Sequence, residues 1–409
     1  MLLFESFVHR QTLAEIIARW MVNRPRPGDV ESLKRIVNFN MYLTRIWLDD
    51  LGTRLLEKVH GSKPTRRGIM SKAGLKDYAV EHLTYTNARI DEMCAKYRRF
   101  PEDFYREAPI DGNIYIDSAR DGHLLGCSRI KRFRRIAEKG SRRIVDYMLE
   151  RIRANADVLA AERASNLGIP KHLLLTNPWE QAEEFAHAER RVIKSIKRGT
   201  IHTELPQLAI PDVAGIKVIA EDGAIHRLLD NVVAELDGQV VEVEQHSGVY
   251  QAVNIKLVVP LPRKLLGARP PVGRYRDVLK FRGFDLKQLD AQYAEFLEQA
   301  EDTVGVEVIV ANFAQFMESE IGRSIHEERV LAQRANREYN GFLGTNVRYL
   351  MEFILALCRA PTTKEIDEVP IKLWVKYMPD TIEQVVFRLN IDDAVYFDTI
   401  PEPPDSSTG

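Results

Sequence analysis

Cysteine is scarce in this 409-residue chain: Cys94, Cys127 and Cys358 are its three thiols, far apart and without CxxC spacing. An odd number at such spacing argues against a disulfide framework and a zinc knuckle, and for a reducing compartment. Inert buried thiols are the ordinary reading, a lone catalytic cysteine the alternative. Charge of one sign is lacking too. The 58 Lys and Arg and 59 Asp and Glu leave a formal net charge of −1, so attraction to nucleic acid or membrane has to be local. No run approaches the ~18 apolar residues of a spanning helix. The longest candidate, around Leu350 to Leu357, is short and contains Glu352. The first residues meet Glu5, His9 and Arg10 too soon for a secretory signal. GxxxxGK(S/T), HExxH and GxSxG are all absent, which removes the P-loop, zincin and nucleophile-elbow chemistries. The expectation is a cytoplasmic protein with no membrane contact; homo-oligomerisation stays open.

What is present is ordinary globular composition, 45% hydrophobic and 29% charged, at a length that suggests two or three domains. Residues 1–180 read as a mostly helical domain of unknown role. Leu13, Ile16, Ile17 and Trp20 share one helix face, RPRPGD at 24–29 breaks that helix, and Leu33, Ile36, Leu43, Trp47 and Leu51 continue in a second. HGSKPTRRG at 60–68 reads as a loop, and IDGNIYID alternates as a short strand or hairpin. Residues 128–153 hold ten Lys or Arg against three Asp or Glu, with Ile136, Ile144, Met148 and Ile152 at helical spacing. Such a segment is either a solvated helix face or a surface for phosphate or RNA.

Residues 181–340 form the next unit. A basic helix ends at Gly199, IPDVAGIKVIA is a buried strand, and Ile225 to Leu236 give an amphipathic helix. GQVVEVEQ alternates as a half-buried strand, and VYQAVNIKLVVP is a strand closed by Pro260. An excursion covers 261–282, and a helix runs from about 286 to 300. VGVEVIV at 304–310 is a β-branched strand, and a helix occupies about 312–336. This order predicts an α+β fold, a mixed sheet with packed helices. Residues 341–400 add a helix at 345–358 and strand-like alternation in PIKLWVKYM and EQVVFRLNI. The tail 401–409, PEPPDSSTG, reads as disordered.

Four segments of the middle unit resemble the RelA/SpoT synthetase domain, a nucleotidyltransferase-like fold, and in that family's order. They are HAERRVIKSIKRG, IPDVAGIKVIA (a D-x-x-G-I-R-I type of strand), HSGVYQAVNIKLVV, and VGVEVIVANFAQFMESEIGRSIHEER. Members move a pyrophosphate group from ATP to the ribose 3′-hydroxyl of GDP or GTP. The resemblance implies Asp212 and Glu307 as magnesium-binding, catalytic carboxylates. It implies Arg191, Lys194, Lys197 and Arg198 as a phosphate-contacting helix, with Lys217 in place of a strand arginine. Tyr250 would stack on the guanine base, and His326 would follow the last strand. These residue types suit the chemistry, because magnesium takes carboxylate and phosphate oxygens and phosphoryl-type transfer needs positioning and charge neutralisation.

The sequence also departs from that pattern. Val310-Ala311-Asn312 stands where the family has I-R-T, the stretch before the tyrosine strand is acidic, and Gln251 and Asn254 replace an arginine and a histidine. Arg263, Lys264, Arg274 and Arg276 of the excursion are candidates to compensate. No adjacent His-Asp pair signals the hydrolase domain that precedes the synthetase in long members. Three functions follow as expectations: magnesium-dependent pyrophosphate transfer from ATP to a guanosine nucleotide; the same chemistry on an RNA 3′ end held through 128–153; or a non-catalytic nucleotide-binding scaffold.

Overall fold

A computed structural model describes residues 2–200, 208–220, 233, 236–246, 252–322, 341–378, 381 and 385. The strands are β1 (Leu2–Phe4), β2 (Thr65–Ser71), β3 (Pro109–Asp117), β4 (His123–Ile130), β5 (Leu208–Ile210), β6 (Ala214–Ile219), β7 (Gln239–His246), β8 (Ala252–Pro260) and β9 (Thr303–Ala311). Seven of them form one sheet in the order β2-β3-β4-β6-β9-β8-β7, and β1 pairs with β5. At the centre β6 and β9 run parallel, with Gly215 opposite Glu307 and Lys217 opposite Ile309. The other pairs of the large sheet are antiparallel. The fold is therefore α+β with a mixed sheet, as expected.

The helices are α1 (Arg10–Met21), α2 (Asp29–His60), α3 (Lys72–Glu81), α4 (Ala88–Arg99), α5 (Phe133–Asn166), α6 (Pro178–Arg198), α7 (Arg263–Gly267), α8 (Arg274–Phe281), α9 (Leu289–Glu298), α10 (Phe313–Met317) and α11 (Phe342–Arg359). A π turn, Glu318–Gly322, follows α10 directly. The break before α2 is fixed by Gly28 at φ 84° and by Asp29, whose carboxylate accepts from Trp20 Nε1 at 2.9 Å and Arg26 N at 3.0 Å. Helix α6 opens on a capping box, Asn177 with Glu180, and closes on Gly199 in the left-handed region.

Periodicity decides which way each face points. Ile216, Val218, Val306, Val308, Val310, Ile255 and Leu257 turn to one side of the sheet and join the main core with α1, α2 and α11. Each such side chain contributes about 1.5–3 kcal/mol on burial. Truncating Leu350, fully buried in α11, would cost about 2–5 kcal/mol. On the opposite side, a smaller core of Leu75, Tyr78, Met93, Tyr97, Ile114, Cys127, Phe313 and Phe316 covers one end of the sheet. The middle of that side is left to charged residues. Strands β3 and β4 approach so closely that a Cβ on Gly112 would lie 2.0 Å from the Ser128 carbonyl oxygen.

Several expectations need correction. The large sheet crosses the boundary placed at residue 180, because β2, β3 and β4 come from the first 130 residues. The expected loop 60–68 contains most of β2. That strand lies at the sheet's edge and need not alternate, so TRRGIMS gives no strand signal. Segment 128–153 is not one helix: Ser128, Arg129 and Ile130 finish β4, and α5 starts at Phe133. The four apolar positions read as helical, Ile136, Ile144, Met148 and Ile152, are all buried. The alternation in residues 370–378 forms no strand; Ile371 and Leu373 are instead packed into the main core. GQVVEVEQ forms strand β7, as expected, but not a half-buried one: at the sheet's edge residues 239–245 are exposed throughout, Val241 and Val243 with the glutamates. All of EQVVFRLNI but Val385, which is helical and packs against the main core, lies outside the described residues, as do the tail 401–409, most of helix 225–236 and the expected helix beyond 322. Cys94, Cys127 and Cys358 are free and buried, and no described helix is long and apolar enough to cross a membrane.

Candidate active site

Alternation along the central strands puts Arg129 of β4, Gly215 and Lys217 of β6, Glu307 and Ile309 of β9, and Lys256 of β8 on the same, cleft-facing side. Two cavities open there. One, of about 520 Å³, is lined by Arg129, Lys131, Arg132, Arg135, Lys217 and Glu307, and toward its apolar end by Lys72, Tyr105, Pro109 and Ile110. The second, of about 440 Å³, is lined by Arg135, Lys139, Arg142, Arg143, Asp212, Lys256 and Glu307, with Glu138, Asp146 and Glu244 around them. Arg135 and Glu307 belong to both walls. The result is one cleft with a strongly charged half and a more apolar half.

Asp212 stands in the turn before β6, and Glu307 lies in the middle of β9. Both line the second cavity, as the parallel pairing of their strands requires. Their surroundings differ. Asp212 pairs with Lys131 at 2.9 Å and with Lys139, and Lys131 also donates to the Asp212 main-chain carbonyl. Burial alone would raise the Asp212 carboxyl; the two ammonium groups outweigh it and hold the carboxyl at about 2. Glu307 makes no ion pair with another described residue. Burial raises its carboxyl above the usual range, nearby Lys131 opposes the rise, and the Asp212 charge adds to it. Two carboxylates pushed apart in this way divide their roles: Asp212 stays ionised, and Glu307 is poised to accept a proton.

Lys217 faces the cleft as expected, but it is engaged. Its Nζ lies 2.5 Å from Glu320 and 2.9 Å from Ser319 Oγ, and Arg129 reaches the other Glu320 oxygen at 2.6 Å. Burial would raise Glu320; Arg129 and Lys217 hold it well below the usual carboxylate range. The π turn therefore closes one wall of the cleft with a buried charge cluster.

The remaining expected residues fall elsewhere. Arg191, Lys194, Lys197 and Arg198 are exposed on α6 and line neither cavity. The apolar stripe of α6, Ala188, Val192 and Ile196, is buried where the helix packs on α5, which turns the basic stripe outward. Arg191 faces Glu162 at 3.7 Å, and the Arg198 carbonyl accepts from Arg24. Arg263 is spent on carbonyls at the end of α9, and Arg276 on Asp290 and the Leu286 carbonyl. Tyr250 and His326 lie outside the described residues.

Most of the cleft's cations lie in the 128–153 segment, read from the sequence as either a solvated helix face or a phosphate or RNA surface, but that reading does not separate the strand from the helix. Arg129 and Lys131 sit two residues apart, on one face of a strand and its extension. Arg135, Lys139, Arg142 and Asp146 recur at i, i+4, i+7 and i+11, one face of α5. The signal was the change of period from two to 3.6 at Phe133, which a reading of the segment as a single helix overlooks.

The donor set fits a magnesium-type ion of one particular kind. Such an ion is held by one or two carboxylates together with substrate phosphate oxygens, and Asp212 with Glu307 supply that number at one cavity. Among the described residues no group of three His, Cys, Asp or Glu side chains is placed to hold a metal ion by itself. No protein-family model matches the chain, and no curated protein or solved structure matches it.

Proposed function

We propose that the cleft binds a nucleoside polyphosphate and transfers pyrophosphate from ATP to an acceptor hydroxyl, with a guanosine nucleotide the acceptor that the RelA/SpoT resemblance implies. The observation that carries this reading is the meeting of Asp212 and Glu307, distant in sequence, in a cleft whose walls also carry Lys131, Arg135 and Lys139.

In this reading Lys131, Arg135 and Lys139 clamp the phosphate tail, Arg135 from the junction of the two cavities. The apolar half takes the base, with Tyr105 the aromatic face among the described lining residues. Asp212 and Glu307 would hold a magnesium ion, which when bound would offset phosphate charge. Glu307 accepts the proton of the acceptor hydroxyl, whose oxygen then attacks the β-phosphorus while AMP leaves with the bridging oxygen. Of the two carboxylates Glu307 is the one with no ion pair to another described residue, while Asp212 is held by Lys131 and Lys139.

The test is incubation of the purified chain with ATP labelled in turn at the β and γ positions, magnesium, and a panel of guanosine nucleotides and tRNA. Both labels should move together to one acceptor. Label on tRNA alone would favour the RNA reading. The closure of Arg129 and Lys217 on Glu320 supports a second reading, a non-catalytic nucleotide-binding protein. Binding without label transfer would select it.

A further inference from the structure

The carboxylate best placed to hold a metal is already paired with two lysines. Lys139 reaches Asp212 from the second turn of α5. Lys131 reaches it from the link between β4 and α5, where its main-chain N–H is fixed on the Val213 carbonyl at 2.8 Å. Two ammonium groups therefore stand at Asp212, where a divalent cation would bind. The two side chains are partly exposed, 26% for Lys131 and 29% for Lys139, on backbones fixed by hydrogen bonds or by helix α5. Both line the same cleft as Arg135, within reach of anything anionic that enters.

We infer that Lys131 and Lys139 form an internal counter-cation that excludes a divalent metal from Asp212 until a polyphosphate draws their ammonium groups away. This rests on the reading of the cleft as a polyphosphate site. Its physical basis is simple. A divalent ion approaching Asp212 alone meets two like charges and must displace two ion pairs. A polyphosphate offers those ammonium groups new oxygens and leaves Asp212 free. The lysines thus oppose metal and favour polyphosphate, so removing one must shift the two affinities in opposite directions. That opposition separates the inference from the ordinary tendency of metal and ATP to associate in solution.

The experiment is a manganese titration of the full chain without nucleotide, followed by the loss of the free-ion electron paramagnetic resonance signal. It is paired with calorimetric binding of inorganic tripolyphosphate in EDTA. Wild type should bind manganese weakly. Lys139→Met should bind it more tightly by about 5- to 150-fold, the usual span of coupling between sites, and should bind tripolyphosphate more weakly. Asp212→Asn added to Lys139→Met should abolish the gained manganese site. Lys131→Met, with a thermal melt to establish folding, should repeat the pattern. Tight manganese binding by wild type, or no gain in either lysine variant, overturns the inference. Failure of wild type to bind tripolyphosphate overturns instead the reading of the cleft on which it rests.

Discussion

Asp212→Asn tests the electrostatics of the cleft through stability alone, with no substrate required. The wild-type carboxyl is held at about 2 against an ordinary 3.8. Its side chain is 18% exposed, so solvent screens the pairing little. At about 1.4 kcal/mol per pKa unit, that difference corresponds to roughly 2 kcal/mol of stability at neutral pH. The variant also leaves Lys131 and Lys139 without their carboxylate, which adds to the loss. The sign follows from linkage. A carboxyl depressed in the folded state stabilises fully above its unfolded value near 3.8, and that contribution is lost as pH falls toward 2. Urea unfolding of both proteins should therefore show a gap of about 2–3 kcal/mol from pH 7 to pH 5. The gap should narrow steadily below pH 4. A gap of the same size at pH 3, or none at pH 7, would refute the assignment of Lys131 and Lys139 as the cause.

Glu307→Gln should behave oppositely. Its carboxyl is raised by burial, so ionisation weakens the fold as pH rises above the ordinary value of 4.5. The variant should then be as stable as wild type or more so at pH 8, with the gain vanishing at acid pH in the same urea series, while label transfer is lost. Gly112→Ala should unfold the sheet or shift β3 against β4, because its Cβ would meet the Ser128 carbonyl at 2.0 Å; circular dichroism melts would read this as a large fall in Tm. If RNA is the acceptor, replacing Arg132, Arg134 and Arg135 with glutamate should abolish tRNA binding and flatten its dependence on salt. Unchanged tRNA affinity would leave Arg132 and Arg134 without a nucleic-acid role.

Long apolar patterns were legible in the sequence. Leu13 to Trp20, Val347 to Leu357 and VGVEVIV became the helices and the strand they resembled, because burial enforces their period. Asp212 was reached only through the resemblance, whereas Glu307 also had a physical argument in the sequence. A glutamate inside an apolar strand has to be paired or face a cleft, and Glu307 faces one. The basic residues were not. A cation's role depends on which way its element turns, and net charge in a segment says nothing of that. Arg191, Lys194, Lys197 and Arg198 form a convincing basic stripe, yet it is the apolar stripe of α6 that packs inward. Lys131 and Lys139 lay in a segment treated as uniform, although the chain changes there from strand to helix. The edge strand β2 was missed because an edge carries little apolar patterning.

The central claim is that a nucleoside polyphosphate binds between Glu307 and the cations Lys131, Arg135 and Lys139. Calorimetric titration of magnesium ATP into wild type, Lys131→Met/Arg135→Met, and Lys194→Ala/Lys197→Ala/Arg198→Ala tests it most directly. The account predicts binding by wild type, binding unchanged in the α6 triple variant, and loss of affinity in the cleft double variant, with circular dichroism melts showing both variants folded. Loss in the α6 variant with the cleft variant unaffected, or no binding by wild type, would contradict it.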